Sequence, residues 1–247
     1  MPRAKPQSRK VFPLRFCVFV RGNGATLMLI ATIVAMAAFL PAAEGDGFIP
    51  LFNGKDLTGW VVEGPREYEN KDGTTSPMWS VHNGVLRTEG RGFGFLRYKE
   101  RAFADFVLHV EYRMSSGANS GIGIRTGTFD PSRSRQTRPS YASYEVQLLD
   151  DAGKPATPYS SGSLYRYVAP KKNPVKPAGQ WNSVDIECRG PRIRVRLNDQ
   201  DILDIDQTTI DQLKNKPLKG SVCLQSHTLP VEFRNVRIRD LGQSTGR

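Results

Sequence analysis

The amino-acid sequence predicts an all-β fold, a single sandwich of antiparallel strands over residues 44–247. Three observations support this prediction. From Phe48 onward, short runs alternate apolar and polar residues; Gly, Asn, Asp and Pro bound these runs; and no run keeps a helical period for long. The alternation is clearest in seven runs: 80–88, 105–114, 144–150, 181–190, 193–205, 220–227 and 231–241.

A basic and then apolar leader precedes this domain. Residues 1–24 contain six Lys or Arg residues and no acid, so they hold six of the net +11 charges of the chain. The uncharged run 26–40 and the small residues after it are typical of a secretory signal peptide, cleaved after Ala43. The alternative is an uncleaved N-terminal anchor that contacts the membrane. Either interpretation predicts export to the periplasm, the cell envelope or the extracellular space.

The basic loop SRSRQTRPS, residues 132–140, is a second cluster of positive charge. No aromatic residues interleave with its arginines, as single-stranded nucleic-acid binders would require. We therefore interpret it as a solvated loop, and we expect no nucleic-acid partner.

Two cysteines, Cys188 and Cys223, lie in the exported part. An exported pair permits one disulfide. The alternative is that both are small buried hydrophobic residues, which the pattern slightly favours because alternation does not show that they face each other.

Four strands place a polar set of side chains opposite their core-facing residues. If these strands are neighbours in one curved sheet, the polar sets converge on one face. In the stretch ANSGIGIR, residues 118–125, Gly121 and Gly123 would then leave room for a ligand close to the sheet. The alternative is that each strand shows its polar face to water. The converging residues are Glu111, Arg125, Glu145, Gln147, Gln225 and His227.

The chain also resembles a known family, the 3-keto-disaccharide hydrolases, from about Gly47 to Leu241. The resemblance implies a concanavalin A-like jelly roll with a concave carbohydrate-binding face. Its motifs occur in the family's order: GFIPLFNGKDLTGW (47–60), WSVHNGVL (79–86), NSGIGIR (119–125), YEVQLLD (144–150), GSLY (162–165), PAGQWNSVDIECRGPRIRVRLND (177–199), and GSVCLQSH followed by VEFRNVRI (220–238).

The resemblance implies chemistry on sugars that are already oxidised at C3. The C3 ketone acidifies the proton on C2, so a base removes it, the glycosidic oxygen leaves C1, and water adds back. This route needs a general base, a group that stabilises the enolate and an acid for the leaving oxygen. A divalent cation is a possible cofactor, because it could stabilise the enediolate as a Lewis acid.

On this resemblance we assign roles to the polar residues. Glu145 is the expected base, with Glu111 as an alternative base or metal ligand. His227 is the expected acid, and Arg125 would polarise the ketone or hold the enolate. The substrate-binding candidates are Asn119, Gln147 and Gln225, which would bind hydroxyl groups, and Tyr165 and Trp181, which would stack on a sugar face, although packing explains Trp181 equally well.

The expected partner is an oligosaccharide or glycoside substrate. The chain contains no dinucleotide-binding fingerprint, so a separate oxidoreductase would have to supply the 3-keto sugar. The competing hypothesis is a non-catalytic glycan-binding module of the cell envelope, since jelly rolls of this kind often only bind.

Overall fold

The computed structural model describes residues 47–242. The predicted leader, residues 1–43, lies outside the described residues and stays a prediction. Among residues 47–242, no helix is long and apolar enough to cross a membrane.

The regular secondary structure of residues 47–242 is almost entirely antiparallel strand, which confirms the predicted fold class. Two short helices, α1 (Ser134–Thr137) and α2 (Pro139–Ala142), and 3-10 turns at Pro131–Arg133 and Gln207–Thr209 complete it. The strands in chain order are β1 (Ile49–Pro50), β2 (Trp60–Glu63), β3 (Glu67–Glu69), β4 (Thr75–Pro77), β5 (Trp79–His82), β6 (Val85–Thr88), β7 (Gly94–Tyr98), β8 (Phe106–Met114), β9 (Asn119–Thr126), β10 (Tyr144–Leu149), β11 (Trp181–Arg189), β12 (Arg192–Leu197), β13 (Gln200–Asp206), β14 (Ser221–Ser226) and β15 (Val231–Asp240).

These strands form two main sheets. The eight-stranded sheet has the order β13-β12-β11-β8-β15-β6-β5, and β1 also pairs with β15. The five-stranded sheet has the order β10-β9-β14-β7-β2, and β3 and β4 form a small separate hairpin. Most neighbouring strands are distant in sequence, so each sheet combines early and late parts of the chain. The two sheets therefore belong to one sandwich.

One core lies between the two sheets. In β8, Phe106, Leu108, Val110 and Tyr112 are buried in it, as their alternation predicts. Ile122 of β9 contributes from the facing sheet.

Two tight turns that fix strand register agree with the sequence signals. Asn83 and Gly84 connect β5 to β6, and both have positive φ. Asn198 and Asp199, also at positive φ, connect β12 to β13. Positive φ at both central residues is the backbone of a type I′ hairpin turn, which Asn and Gly adopt readily.

The cysteines Cys188 and Cys223 are both free and buried. Cys188 belongs to the main core, whereas Cys223 packs with Phe95 and Phe129 in a small cluster on the other side of the five-stranded sheet. The interpretation of two buried hydrophobic residues is therefore correct.

Candidate active site

The outer face of the five-stranded sheet, the face turned away from the eight-stranded sheet, carries a buried polar cluster. Glu145 and Gln147 point there from β10, and Gln225 points there from β14, which lies two strands away. All three side chains are buried. The strand between them, β9, contributes Asn119 and two glycines.

The carboxylate of Glu145 crosses β9 to reach β14. Its Oε1 accepts a hydrogen bond from Gln225 Nε2 at 2.8 Å. A Cβ atom at Gly121 would lie only 2.6 Å from the same Oε1, a distance that real Cβ atoms do not tolerate. Gly121 is therefore required so that Glu145 can lean across the strand and meet Gln225.

Gly123, the second glycine of residues 118–125, also makes room for protein atoms. A Cβ at Gly123 would lie 2.4 Å from Cys223 Sγ and 3.1 Å from Pro139 Cγ. The sequence-based expectation that both glycines clear space for a ligand is therefore wrong, because protein atoms occupy that space.

Burial perturbs the acidity of Glu145 strongly. Removal from water raises its pKa to about 7, although hydrogen bonds from Gln225 and Ser140 and the positive charge of Arg138 act in the opposite direction. A carboxyl group with this pKa exchanges protons readily near neutral pH, which is the property that a general acid or base needs.

Several buried polar atoms around Glu145 have no hydrogen-bond partner among the described residues. Gln225 Oε1 and Gln147 Oε1 face outward from the same sheet surface, and Arg138 Nε belongs to the side chain whose charge acts on Glu145. Ser163 Oγ is a fourth such atom, on the segment whose main chain pairs with Gln147. Buried polar groups are normally paired, so this set is suited to a polar ligand.

The connection between β9 and β10, residues 127–143, covers one part of this face and contains α1 and α2. We call this segment the wall. Its first end is tied down by Glu63, whose carboxylate accepts a hydrogen bond from Phe129 N at 2.8 Å. Its second end is tied by Lys216, which donates to the main-chain oxygens of Tyr141 and Ser143 at 2.7 and 2.5 Å.

The wall brings Arg138 and Ser140 to the cluster. Arg138 stacks on Phe93, with its guanidinium carbon 4.0 Å from the ring centroid. The edge of the same ring contacts His227, with centroids 5.4 Å apart. His227 is exposed at the end of β14, and its Nδ1 lies 2.7 Å from Thr228 Oγ1. Although the residue as a whole is exposed, partial shielding of its ring from water and, to a smaller extent, the charge of Arg138 lower the pKa of His227.

An aromatic pair lies on the opposite side of Glu145. The main-chain N–H of Tyr165 donates to the Glu145 carbonyl oxygen at 2.9 Å, which fixes Tyr165 beside the edge strand β10. Its ring meets the exposed ring of Tyr159 edge-on, with centroids 5.6 Å apart. Exposed tyrosine rings offer apolar faces and a hydroxyl group to a sugar.

Two of the predicted site residues lie on the other sheet, so their predicted placement is wrong. Glu111 is on β8 of the eight-stranded sheet, where Arg234 and Asn235 each donate to it at 2.6 Å. Trp181 is on β11 of the same sheet and lies against the guanidinium groups of Arg113 and Arg234. Strand alternation assigns a residue to a face, but it does not show to which sheet the strand belongs.

The predicted placement of Arg125 is also wrong, because β9 contains a bulge. Between Gly123 and Thr126, β9 advances three residues while its partner β14 advances two, from Cys223 to Ser221. Arg125 has a φ of 53° at this point and is fully buried. Its guanidinium group donates to the carbonyl oxygen of Ala104 at 3.1 and 2.8 Å, away from Glu145. The extra residue reverses the parity of the strand.

The other six candidates fall in one region. They are Glu145, Gln147, Gln225 and Asn119 on the sheet face, where Gln147 Nε2 donates to Asn119 Oδ1 at 3.3 Å, together with His227 and Tyr165 at its borders. Sequence reasoning missed Arg138, Ser140 and Tyr159. The arginines of 132–140 were the available signal for Arg138, but their sequence gives no indication that one of them folds back onto Phe93.

Two cavities lie elsewhere, along the eight-stranded sheet. One of about 790 Å³ is lined by His109, Asp185 and Arg194, and another of about 350 Å³ by Arg113 and Glu232. Acids there are paired with arginines, such as Asp204 with Arg192 at 2.7 Å and Glu232 with Arg113 at 2.6 Å. We place the candidate site at Glu145, because a buried carboxyl group with a raised pKa indicates a catalytic site more strongly than the volume of a groove does.

The described part of the chain contains no ligand set for the predicted metal cofactor. Residues 47–242 contain no group of three or more His, Cys, Asp or Glu side chains placed to hold a metal ion. Around Glu145 the neighbouring oxygen donors are amides and hydroxyls, which do not make a dedicated site for a divalent cation. We therefore derive no reaction step through a metal.

The fold and the site define a two-sheet jelly-roll protein with a buried carboxyl group of raised pKa on a sheet face. Residues 47–239 match the sequence profile of the 3-keto-alpha-glucoside-1,2-lyase-like domain, and the chain belongs to this family. This match confirms the resemblance that the motifs indicated.

One relative and two solved structures are similar to this chain. A protein of Bacteroides thetaiotaomicron VPI-5482 named 3-keto-disaccharide hydrolase is 26% identical over 238 residues, which cover 80% of each chain. A crystal structure from Parabacteroides distasonis ATCC 8503, provisionally described as a glycosyl hydrolase, superposes with a TM-score of 0.64 at 23% identity, over 79% of this chain and 94% of that one. The carbohydrate recognition domain of Emp46p shares the fold alone, with a TM-score of 0.50 at 9% identity, over 78% and 95% of the two chains.

Proposed function

We propose that the protein is an enzyme that cleaves the glycosidic bond of 3-keto-glycosides and 3-keto-disaccharides by proton abstraction at C2, elimination and hydration. The observation that carries the proposal is the buried Glu145 with a pKa of about 7, surrounded by buried polar atoms that lack a partner among residues 47–242. The family membership and the name of the Bacteroides relative support the substrate class.

Glu145 is the general base of this proposal. A ketone at C3 makes the C2 proton acidic enough for a carboxylate to remove, provided that the carboxylate is poorly solvated and well oriented. Two observations support this role: the side chain is only 4% exposed, and the hydrogen bond from Gln225 holds its Oε1 in one orientation. Loss of the C2 proton leads to departure of the C1 oxygen, and water then adds to C1.

The departing oxygen requires a proton, and two groups could supply it. Glu145 holds a proton after the first step. His227 lies on the same side of the sheet, beside Phe93. Because the pKa of His227 is lowered, its protonated form is a stronger acid but is less populated near neutral pH.

Substrate binding falls to the amide and aromatic side chains around the base. In this proposal the Gln147 Oε1 atom, which has no partner among residues 47–242, and the side chain of Asn119 bind sugar hydroxyl groups. Tyr165 and the exposed Tyr159 offer rings on which a sugar can stack. Amide groups and tyrosine rings are both suited to a neutral, hydroxyl-rich ligand.

The proposal includes the cellular setting expected from the sequence. The protein acts after export, with the leader 1–43 cleaved or retained as an anchor. Because its chemistry begins from a ketone, a separate oxidoreductase supplies the 3-keto sugar.

The test is incubation of the purified protein with a 3-keto-disaccharide and with the parent disaccharide in D₂O, with and without a chelator. We expect sugar release and deuterium incorporation at C2 from the keto sugar alone. The Glu145→Gln variant should bind the keto sugar but show neither reaction, whereas Glu111→Gln should retain both. Binding without cleavage by the unaltered protein would instead identify a glycan-binding module, and cleavage of the parent sugar would refute the need for a ketone.

A further inference from the structure

Elimination from a 3-keto sugar needs a group that stabilises negative charge on the C3 oxygen, and the structure removes Arg125 from this role. Arg125 is buried in the sandwich, where it binds the Ala104 carbonyl oxygen. The wall 127–143 brings a different guanidinium group, that of Arg138, to the outer face of the five-stranded sheet.

Arg138 is held in place by contacts that leave part of its guanidinium group available. Its Nη2 donates to Ser134 Oγ at 2.9 Å, and its guanidinium carbon lies over the Phe93 ring, 4.0 Å from the centroid. Its Nε is buried and has no hydrogen-bond partner among residues 47–242. A buried, unpaired N–H donor of a cation is costly unless a ligand supplies the acceptor.

The charge of Arg138 also reaches both of the candidate proton-transfer groups. It lowers the pKa of Glu145, against the larger effect of burial and to a smaller extent than the hydrogen bonds from Gln225 and Ser140. It also lowers the pKa of His227, to a smaller extent than the partial burial of that ring. His227 contacts the edge of the same Phe93 ring on which Arg138 lies. Arg138 is therefore situated close to the base and to the histidine.

We propose that Arg138 binds the C3 oxygen of the sugar and stabilises the enolate formed when Glu145 removes the C2 proton. This inference rests on the proposed function. In the first step the C2–H bond breaks, the proton moves to the Glu145 carboxylate, and the electron pair forms the C2=C3 bond while the carbonyl electrons move to the C3 oxygen. The guanidinium N–H groups of Arg138 donate hydrogen bonds to that oxygen.

In the second step the enolate collapses and the electrons on the C3 oxygen return to the C3–O bond. The C3 carbonyl re-forms, the C1=C2 bond forms, and the C1–O bond breaks as the leaving oxygen takes a proton. Water then adds to C1 and a proton returns to C2, so no oxidant or reductant is needed. Because a guanidinium group stays charged throughout the working pH range, Arg138 supplies a fixed positive charge where negative charge develops.

The experiment compares Arg138→Met, Arg138→Lys and the control Arg133→Met in the full chain. Arg133 is an exposed arginine of the same segment. With a 3-keto-disaccharide as the probe, C2 deuterium exchange, sugar release and the pH profile of kcat/KM are measured, and urea midpoints check that each variant folds.

We expect Arg138→Met to lose on the order of 100-fold in kcat, since this is the usual effect of removing one donor to a developing oxyanion. The acidic limb of its pH profile should move to higher pH, because the charge that lowers the pKa of Glu145 is gone. Added guanidinium ion should restore part of the rate. The control should stay within about threefold of the unaltered protein.

Two results would overturn the assignment: Arg138→Met within about threefold of the unaltered protein with an unmoved acidic limb, or a loss of rate that guanidinium does not restore. If Arg138→Met does not fold, Arg138→Lys decides, since it keeps the charge but loses the planar donor group, and an unchanged kcat in that variant counts against the proposal. If the unaltered protein neither exchanges C2 hydrogen nor releases sugar, the proposed function itself is refuted.

Discussion

Replacement of Glu145 by Gln should make the protein more stable at neutral and alkaline pH while it abolishes turnover. In the folded protein the pKa of Glu145 is about 7, compared with 4.5 for the ordinary group. The folded state therefore holds a proton that the unfolded state releases between these two values. Stability contributed by this proton is complete below about pH 4.5 and is lost as the pH rises through 7.

The size of the effect follows from the difference between the two pKa values. A difference of about 2.5 units corresponds to about 3 kcal/mol, at about 1.36 kcal/mol per unit. Because Gln has nearly the same shape and no charge, the variant avoids this cost. The free energy of unfolding of Glu145→Gln relative to the unaltered protein should therefore increase by about 3 kcal/mol between pH 4.5 and pH 8.

The assay is urea unfolding of both proteins at a series of pH values, evaluated as the difference between them so that the other titrating groups cancel. Glu111→Gln is the matched control with the opposite sign. Burial acts to raise the pKa of Glu111, but hydrogen bonds from Asn235 and Arg234 outweigh it and hold the pKa below its ordinary value. Its ionised form therefore stabilises the fold, and the variant should lose stability at neutral pH and recover it in acid.

A stability difference for Glu145→Gln that does not change with pH would refute the argument. It would mean that the carboxyl group is solvated in the folded protein and titrates at its ordinary pKa. In that case the buried base would be lost from the proposed mechanism as well.

Three further substitutions test the geometry of the site. Gly121→Ala places a methyl group where Glu145 Oε1 lies 2.6 Å away, so we expect a folded protein with turnover reduced on the order of 100-fold, measured by sugar release. Lys216→Met leaves the Ser143 carbonyl oxygen without its ammonium donor, and the urea midpoint should show a loss of roughly 1–3 kcal/mol. Trp181→Ala removes a ring from the opposite sheet, so kcat/KM should stay within about threefold, and a larger loss would contradict the assignment of the site to the five-stranded sheet.

Sequence patterns were sufficient to predict the fold class and most of the polar cluster. Alternation places Glu145, Gln147 and Gln225 on non-core faces, and the two strands concerned, β10 and β14, belong to the same sheet. For Glu111 the same reasoning failed, because a strand of either sheet has one core-facing and one outward-facing side. The pattern therefore contains no information about which sheet a strand joins.

Two other outcomes depend on features that a periodic pattern does not contain. Arg125 lies in the bulge of β9. A bulge of a single residue cannot be predicted reliably from the residue types around it. Arg138 lies in a loop that by itself is typical of a solvated surface. Its position is set by Phe93, which is far away in sequence, and by Glu63 and Lys216, which hold the two ends of the wall.

The wall gives a physical reason why this sheet face is suited to catalysis. A carboxylate on the open face of an antiparallel sheet is solvated, keeps an ordinary pKa and serves only as a hydrogen-bond acceptor for a sugar. Here Gly121 lets Glu145 lie flat across β9, and the connection 127–143 covers the adjoining surface, with Pro139 packed over Gly123. Burial then raises the pKa of Glu145 into the range where it can take and return a proton. Loosening the wall should lower this pKa, so in Lys216→Met the acidic limb of the pH profile of kcat/KM should move to lower pH. An unmoved limb in a folded variant would show that the sheet itself, and not the wall, keeps water away from the base.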